Sequence, residues 1–197
     1  MAKLVLKKPL AQKLAMKSEM DPRRKRTHAA IQKAFFGFVL HRRYHEIKID
    51  DIVAAAGIAR STFYEHYRSK DALLSASLTG PFQVLATSVR GVQLDGLDAV
   101  TQRLTQILQH FWGNRGIARG IFFGDSRRKL AQTLAGCLEV EFKLSKARLS
   151  LPLPLVCTAI AETLITMLNE WLLGRAACAP EQLALAMHKF ASAAFRV

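Results

Sequence analysis

The stretch from Ile49 to Leu74 constrains the fold of this chain more than any other. It reads Ile49-Asp50-Asp51-Ile52-Val53-Ala54-Ala55-Ala56-Gly57-Ile58-Ala59-Arg60-Ser61-Thr62-Phe63-Tyr64-Glu65-His66-Tyr67-Arg68-Ser69-Lys70-Asp71-Ala72-Leu73-Leu74. Two short helices that cross steeply need small residues at the crossing, which Ala54 and Ala55 supply. They need a turn residue that accepts positive φ, which Gly57 supplies, and an apolar anchor just after it, Ile58. The spacing predicts helices over about 48–55 and 60–66, with Ser69 capping a third that starts at Lys70. Such a helix-turn-helix offers the polar side of its second helix to the DNA major groove. Arg60, Ser61, Thr62, Tyr64 and His66 are the polar side chains there, and Phe63 reads as core.

The rest of the chain is helical by periodicity, and no segment alternates like a strand. Asp21-Pro22 opens a helix running to about His41, with Asp21 as cap and proline where no N–H is needed. Residues 1–20 form a loose basic arm. Gly80-Pro81 is expected to break or kink the helix that starts at Lys70, and 91–98, rich in Gly and Asp, reads as a loop. Further helices are expected over about 98–112, 126–148, 155–174 and 180–195. A short one lies within the glycine-rich 113–125, and Leu151-Pro152-Leu153-Pro154 is a rigid connector. The organisation is therefore all-α: an arm (1–20), a three-helix DNA-binding unit (21–75) and a C-terminal helical bundle (76–197).

Charge supports this. Lys plus Arg total 29 against 15 Asp plus Glu, a net charge of +14. Residues 1–75 hold +9 of it, from 16 basic and 7 acidic side chains. A basic excess concentrated beside a groove-reading unit favours a polyanionic partner. The run Arg23-Arg24-Lys25-Arg26 adds to the long-range field there. At the opening of the helix after the reading helix, Lys70 joins free N–H groups as a phosphate site. Tyr64 and Tyr67 can reach phosphates through their hydroxyls.

Other classes find little support. Cys137, Cys157 and Cys178 are odd in number and far apart, so they read as buried thiols of a reducing cytoplasm. The six histidines show no metal spacing, and no cofactor or catalytic set is expected. The apolar run 151–173 contains Pro152, Pro154, Glu162, Asn169 and Glu170 and is rejected as a membrane span.

Over about Thr27 to Leu74 the chain resembles the TetR/AcrR family of bacterial transcriptional regulators. The resemblance rests on Ala34-Phe35, Tyr44, Asp51-Ile52, Ala56-Gly57-Ile58 and, most specifically, Thr62-Phe63-Tyr64-x-x-Tyr67-x-x-Lys70-x-x-Leu73-Leu74. It implies a homodimer whose C-terminal domain dimerises and holds a small ligand. Where the family often carries Thr or Ser, this chain has Ile47, Lys48 and Ile49. Lys48 then takes over the phosphate contact and Asp50 the helix cap. Ala59 stands where a capping Ser is common.

The expected function is that of a sequence-specific repressor on a near-palindromic double-stranded operator, released by a small apolar or aromatic effector. A nucleoid-associated structural protein without an effector is the alternative. Phe82, His110, Phe111, Trp112, Phe122 and Phe123 are the candidate effector-binding residues, with Gly80-Pro81 as a coupling segment. The two apolar final helices are the expected dimer interface, paired as a four-helix bundle.

Overall fold

A computed structural model describes residues 21–90, 92–123, 126–145, 149 and 151–193. The basic arm, 1–20, lies outside the described residues. Among them nine α-helices and one 3-10 turn run in order. They are α1 (Pro22–Val39), the turn Tyr44–Glu46, α2 (Ile49–Ala56), α3 (Arg60–His66), α4 (Lys70–Arg90), α5 (Val92–Gly113), α6 (Arg115–Phe122), α7 (Arg127–Ser145), α8 (Leu153–Leu172) and α9 (Pro180–Ala193). The chain is all-helical, with an N-terminal helix-turn-helix followed by a C-terminal helical body.

The N-terminal unit packs around a small core. Ile31 and Phe35 of α1, Ile52 of α2, Phe63 of α3 and Leu73 and Leu74 of α4 are completely covered. Asp21 caps α1 by accepting the Arg23 N–H, with Pro22 in the first turn. α4 then leaves this unit and packs on α7 and α5, so the boundary drawn at 75 falls inside one continuous helix.

Two sequence expectations are corrected here. Pro81 does not end its helix, because α4 runs unbroken from Lys70 to Arg90. An internal proline costs about 3 kcal/mol. The buried Leu78, Phe82 and Leu85 on either side of Pro81 supply packing that offsets the cost. Residues 92–98 are helical and open α5 rather than forming a loop. Glycine and aspartate mark loops only by frequency, and the buried Val100, Leu104 and Leu108, which follow at helical spacing, carry the helix through. α8 has one covered face and one open face. Val156, Ile160, Leu164, Leu168 and Leu172 are buried, while Thr158, Ala159, Thr163 and Thr166 face outward. α8 and α4 are long and apolar enough to cross a membrane, but about half of each apolar window is spent on the protein core.

Candidate nucleic-acid interface

The crossing of α2 and α3 is set by backbone chemistry. Gly57 takes φ 64° and ψ 37°, the left-handed region that side chains disfavour. The Ile58 N–H then closes the turn on the Val53 carbonyl at 3.1 Å. α3 is too short to hold its shape alone. Phe63 ties it down, edge-on to Tyr64 at 5.6 Å and tilted against Tyr67 at 5.9 Å. With Phe63 fully buried, the opposite side of α3 is left to solvent: Ser61, Tyr64 and Glu65 are exposed, and Thr62 and His66 half-buried.

Arg60 is the first residue of α3 and is already engaged. It forms an ion pair with Asp50 of α2, donates to the Tyr64 hydroxyl at 3.3 Å and lies 5.7 Å from the Tyr64 ring centroid. Asp50, read from the sequence as the cap of α2, serves this pair instead. The α2 cap is made by Asp51, whose carboxylate accepts the Lys48 N–H at 3.3 Å and an Arg42 Nη1 bond at 3.0 Å. Asp51 sits at the third helical position, where a carboxylate can reach back to the residue before the helix. Lys48 holds the cap position with its side chain exposed.

Lys70 is turned inward. Its Nζ donates to the Tyr44 carbonyl at 2.6 Å and the Ile47 carbonyl at 2.7 Å, and lies 4.3 Å from the centre of the Tyr44 ring. Two of the three ammonium donors are thus used to hold the 3-10 turn against α4. Burial lowers its pKa from the ordinary lysine value. The Tyr44 phenol donates to Asp71, and burial, then that carboxylate, holds its pKa well above the usual tyrosine range.

Tyr67 is likewise inside. It is 5% exposed, its hydroxyl is buried without a partner, and burial pushes its pKa up to about 12. The predicted contact set therefore splits. Arg60, Ser61, Tyr64 and Lys48 are exposed, Thr62 and His66 border them, and Tyr67 and Lys70 brace the unit from within.

The structure also recruits residues whose specific role the sequence left open. A polar depression joins the start of α1 to the far end of α3, lined by Arg23, Arg24, Thr27, Thr62, Glu65 and His66. Arg24 is close enough to help lower the His66 pKa, after burial, which is the larger cause. Sequence separation hid this pairing of the basic run with the reading helix.

The candidate effector residues separate too. A cavity of about 270 Å³ is lined by Phe36 of α1, Leu78 and Pro81 of α4, and His110, Phe111 and Phe122 among others. Phe82 lies behind its wall, edge-on to Phe122 at 6.3 Å. Trp112 points elsewhere, its ring tilted at 39° against Trp171 with centroids 4.8 Å apart. Phe123 is exposed and borders a different cleft. Among the described residues no group of three or more His, Cys, Asp or Glu gathers as a metal site.

Residues 41–77 match the family model described as bacterial regulatory proteins, tetR family. An uncharacterized HTH-type transcriptional regulator, YxbF, of Bacillus subtilis strain 168 is 39% identical over 61 residues. That match is 30% of this chain and only 16% of the relative. Among solved structures, a TetR transcriptional regulator from Streptococcus agalactiae 2603V shares 25% identity over 90% of this chain and 98% of its own, with a TM-score of 0.56. A TetR-family regulator from Streptomyces coelicolor A3 aligns at 16% identity over 90% of this chain and 99% of its own, with a TM-score of 0.62. A TetR-family repressor, FadR of Thermus thermophilus, solved with lauroyl-CoA, aligns at 16% identity over 86% of this chain and 95% of its own, with a TM-score of 0.53. The last two likenesses bear on the fold alone.

Proposed function

We propose that the chain is a member of the TetR family of bacterial regulators, whose family model its residues 41–77 match, and that it regulates transcription as a sequence-specific DNA-binding homodimer. The observation that carries this reading is the Gly57 turn. It pins α3 by its buried Phe63 and leaves Arg60, Ser61 and Tyr64 on the solvent side, beside the basic start of α1. Small hydroxyls and one arginine suit base edges in a crowded groove. One such unit reads few base pairs. Two copies about 34–36 Å apart are needed for an operator, which is then a near-palindrome. The outward faces of α8 and α9, where Leu155 and Phe190 are exposed, are the proposed dimer surface.

The regulatory sense proposed is repression relieved by a small effector in the cavity beside Phe111 and Phe122. Its volume, about 270 Å³, falls just below the range of about 300–1,000 Å³ usual for small-molecule sites and so limits the ligand to one or two rings. Phe36 brings α1 into the same wall, so an occupant touches both regions of the molecule. The repressor solved with lauroyl-CoA supports a small-ligand input in a chain of this fold. The effector must prefer the state whose reading helices are wrongly spaced, since equal affinity would release nothing.

Selection of bound duplexes from random DNA, followed by titration of Arg60→Ala, tests the central claim. A near-palindromic consensus is expected, and the variant should lose about 1–3 kcal/mol chiefly on that consensus. Equal affinity for every duplex, in both proteins, would replace the regulator with an architectural DNA-binding protein.

A further inference from the structure

α6 stands between two cavities. One is the aromatic cavity already described. On its other side a cleft of about 450 Å³ opens between α6 and the end of α1, with Leu40, His41, Arg43, Arg119 and Phe123 in its walls. Its composition is unlike a core. Leu40 is 49% exposed and Phe123 is 58% exposed, so two large apolar side chains face the opening. Arg42, Arg43, Arg119 and two histidines share it, and no carboxylate is among the described lining residues. Arg42 is engaged with Asp51, and Arg119 gives its Nε–H to the Leu172 carbonyl at 2.6 Å. A guanidinium has five N–H donors, so Arg119 retains its terminal ones.

The cleft lies beside the closest approach of the two regions. A Cβ added to Gly120 would sit 2.3 Å from the Val39 carbonyl oxygen and 2.7 Å from its Cγ1, and one on Gly116 would sit 3.2 Å from Leu40 Cδ2. The end of α1 therefore rests directly on the backbone of α6, and a body seated beside Leu40 bears on that contact.

We propose that this cleft is a second ligand site, which binds an organic anion with an apolar body. The anionic head sits on Arg43 and Arg119, and the ring or chain lies on Leu40 and Phe123. Guanidinium pairs with carboxylate or sulfonate in a forked geometry, and the adjoining apolar walls exclude water from one side of the pair. Only the regulatory consequence of occupancy, a displaced α1 and altered DNA affinity, rests on the function proposed above. Binding itself does not.

The test is a fluorescence titration of the full chain, without DNA, using 1-anilinonaphthalene-8-sulfonate and its uncharged parent N-phenyl-1-naphthylamine. The sulfonate is expected to bind about tenfold more tightly than the parent, and Arg43→Ala to abolish most of that preference. Phe123→Ser should weaken both dyes. Arg43 and Phe123 are exposed, so these variants keep the fold. Arg119→Gln, checked by circular dichroism, gives a second loss of charge at the same site. Unchanged sulfonate affinity in both arginine variants overturns the proposal. So does loss of binding in Ile117→Trp, which fills the aromatic cavity and leaves the cleft intact, because the anion would then sit in that cavity. Because no DNA is present, failure of the DNA-binding reading leaves this result standing.

Discussion

The DNA-facing unit and the C-terminal body hold their shapes by different means. In the unit, α2 and α3 have 8 and 7 residues, lengths at which isolated helices are marginal. Their order comes from particular side chains: Gly57 in a left-handed turn, Asp51 as a cap, Lys70 on two carbonyls and Phe63 as a plug. In the body, α4, α5, α7 and α8 run 19 to 22 residues and meet along broad apolar faces. That region tolerates Pro81 within α4 and buries the Ser88 and Thr105 hydroxyls and His188 Nδ1 without partners. A short element needs specific chemistry at named positions, whereas a long one needs only a pattern.

The strongest way to break this contrast is Phe63→Ala. Emptying a fully buried phenylalanine costs about 3–5 kcal/mol, and α3 has little else to hold it. Both tryptophans, Trp112 and Trp171, lie in the C-terminal body, so their fluorescence reports that region alone. In urea the variant is expected to lose helical circular dichroism early while the tryptophan midpoint stays near wild type. The mirror variant Leu134→Ala, emptying α7, should move the tryptophan midpoint by about 2–5 kcal/mol of stability. If Phe63→Ala shifts both signals together, α4 makes the two regions one cooperative unit and the contrast fails.

The same difference governs what could be read from the sequence. Gly57, Phe63 and the helix bounds 60–66 were legible because turn geometry admits few residue types. Lys70 was legible as a special residue, but not its direction. A lysine at a helix start can face phosphate or fold back, and only the position of the 3-10 turn Tyr44–Glu46 decides. In the body, periodicity located every helix and mistook their joins. Pro81 and the stretch 92–98 carry breaker residues whose local cost is smaller than the packing around them. The aromatics near 110–123 fell to three destinations, the cavity, the Trp171 contact and the exposed cleft, because helical phase over a short glycine-rich segment is ambiguous without neighbours.

Lys70→Ala sharpens the comparison at intermediate size. Loss of two charge-assisted bonds to the Tyr44 and Ile47 carbonyls should cost about 1.5–3 kcal/mol of stability, read by thermal unfolding. DNA affinity should fall because the unit loosens. The salt dependence should then change by less than the slope of about 0.9 that one lost phosphate contact removes. A full loss of that slope, with stability unchanged, would show that the ammonium leaves its carbonyls to bind phosphate.

The smallest expected effect lies in the body. His188 is buried, bonded to the Ser192 hydroxyl through Nε2 at 2.9 Å, and its Nδ1 has no partner. Burial lowers its pKa below the ordinary value of 6.5. Above that value both folded and unfolded chains carry it neutral, so stability does not depend on its titration. As pH falls through 6.5 the unfolded chain takes up a proton that the folded chain refuses, and stability declines until the folded group also titrates. His66 acts in the same direction, lowered first by burial and then by Arg24 and His28. His188→Leu removes one of these two contributions together with the partnerless nitrogen. Urea midpoints at pH 7.5 and 5.5 should therefore fall less in the variant than in wild type. Parallel declines would assign the acid sensitivity to the DNA-facing unit through His66, and the buried polar atoms of the body would then carry no cost that pH can reveal.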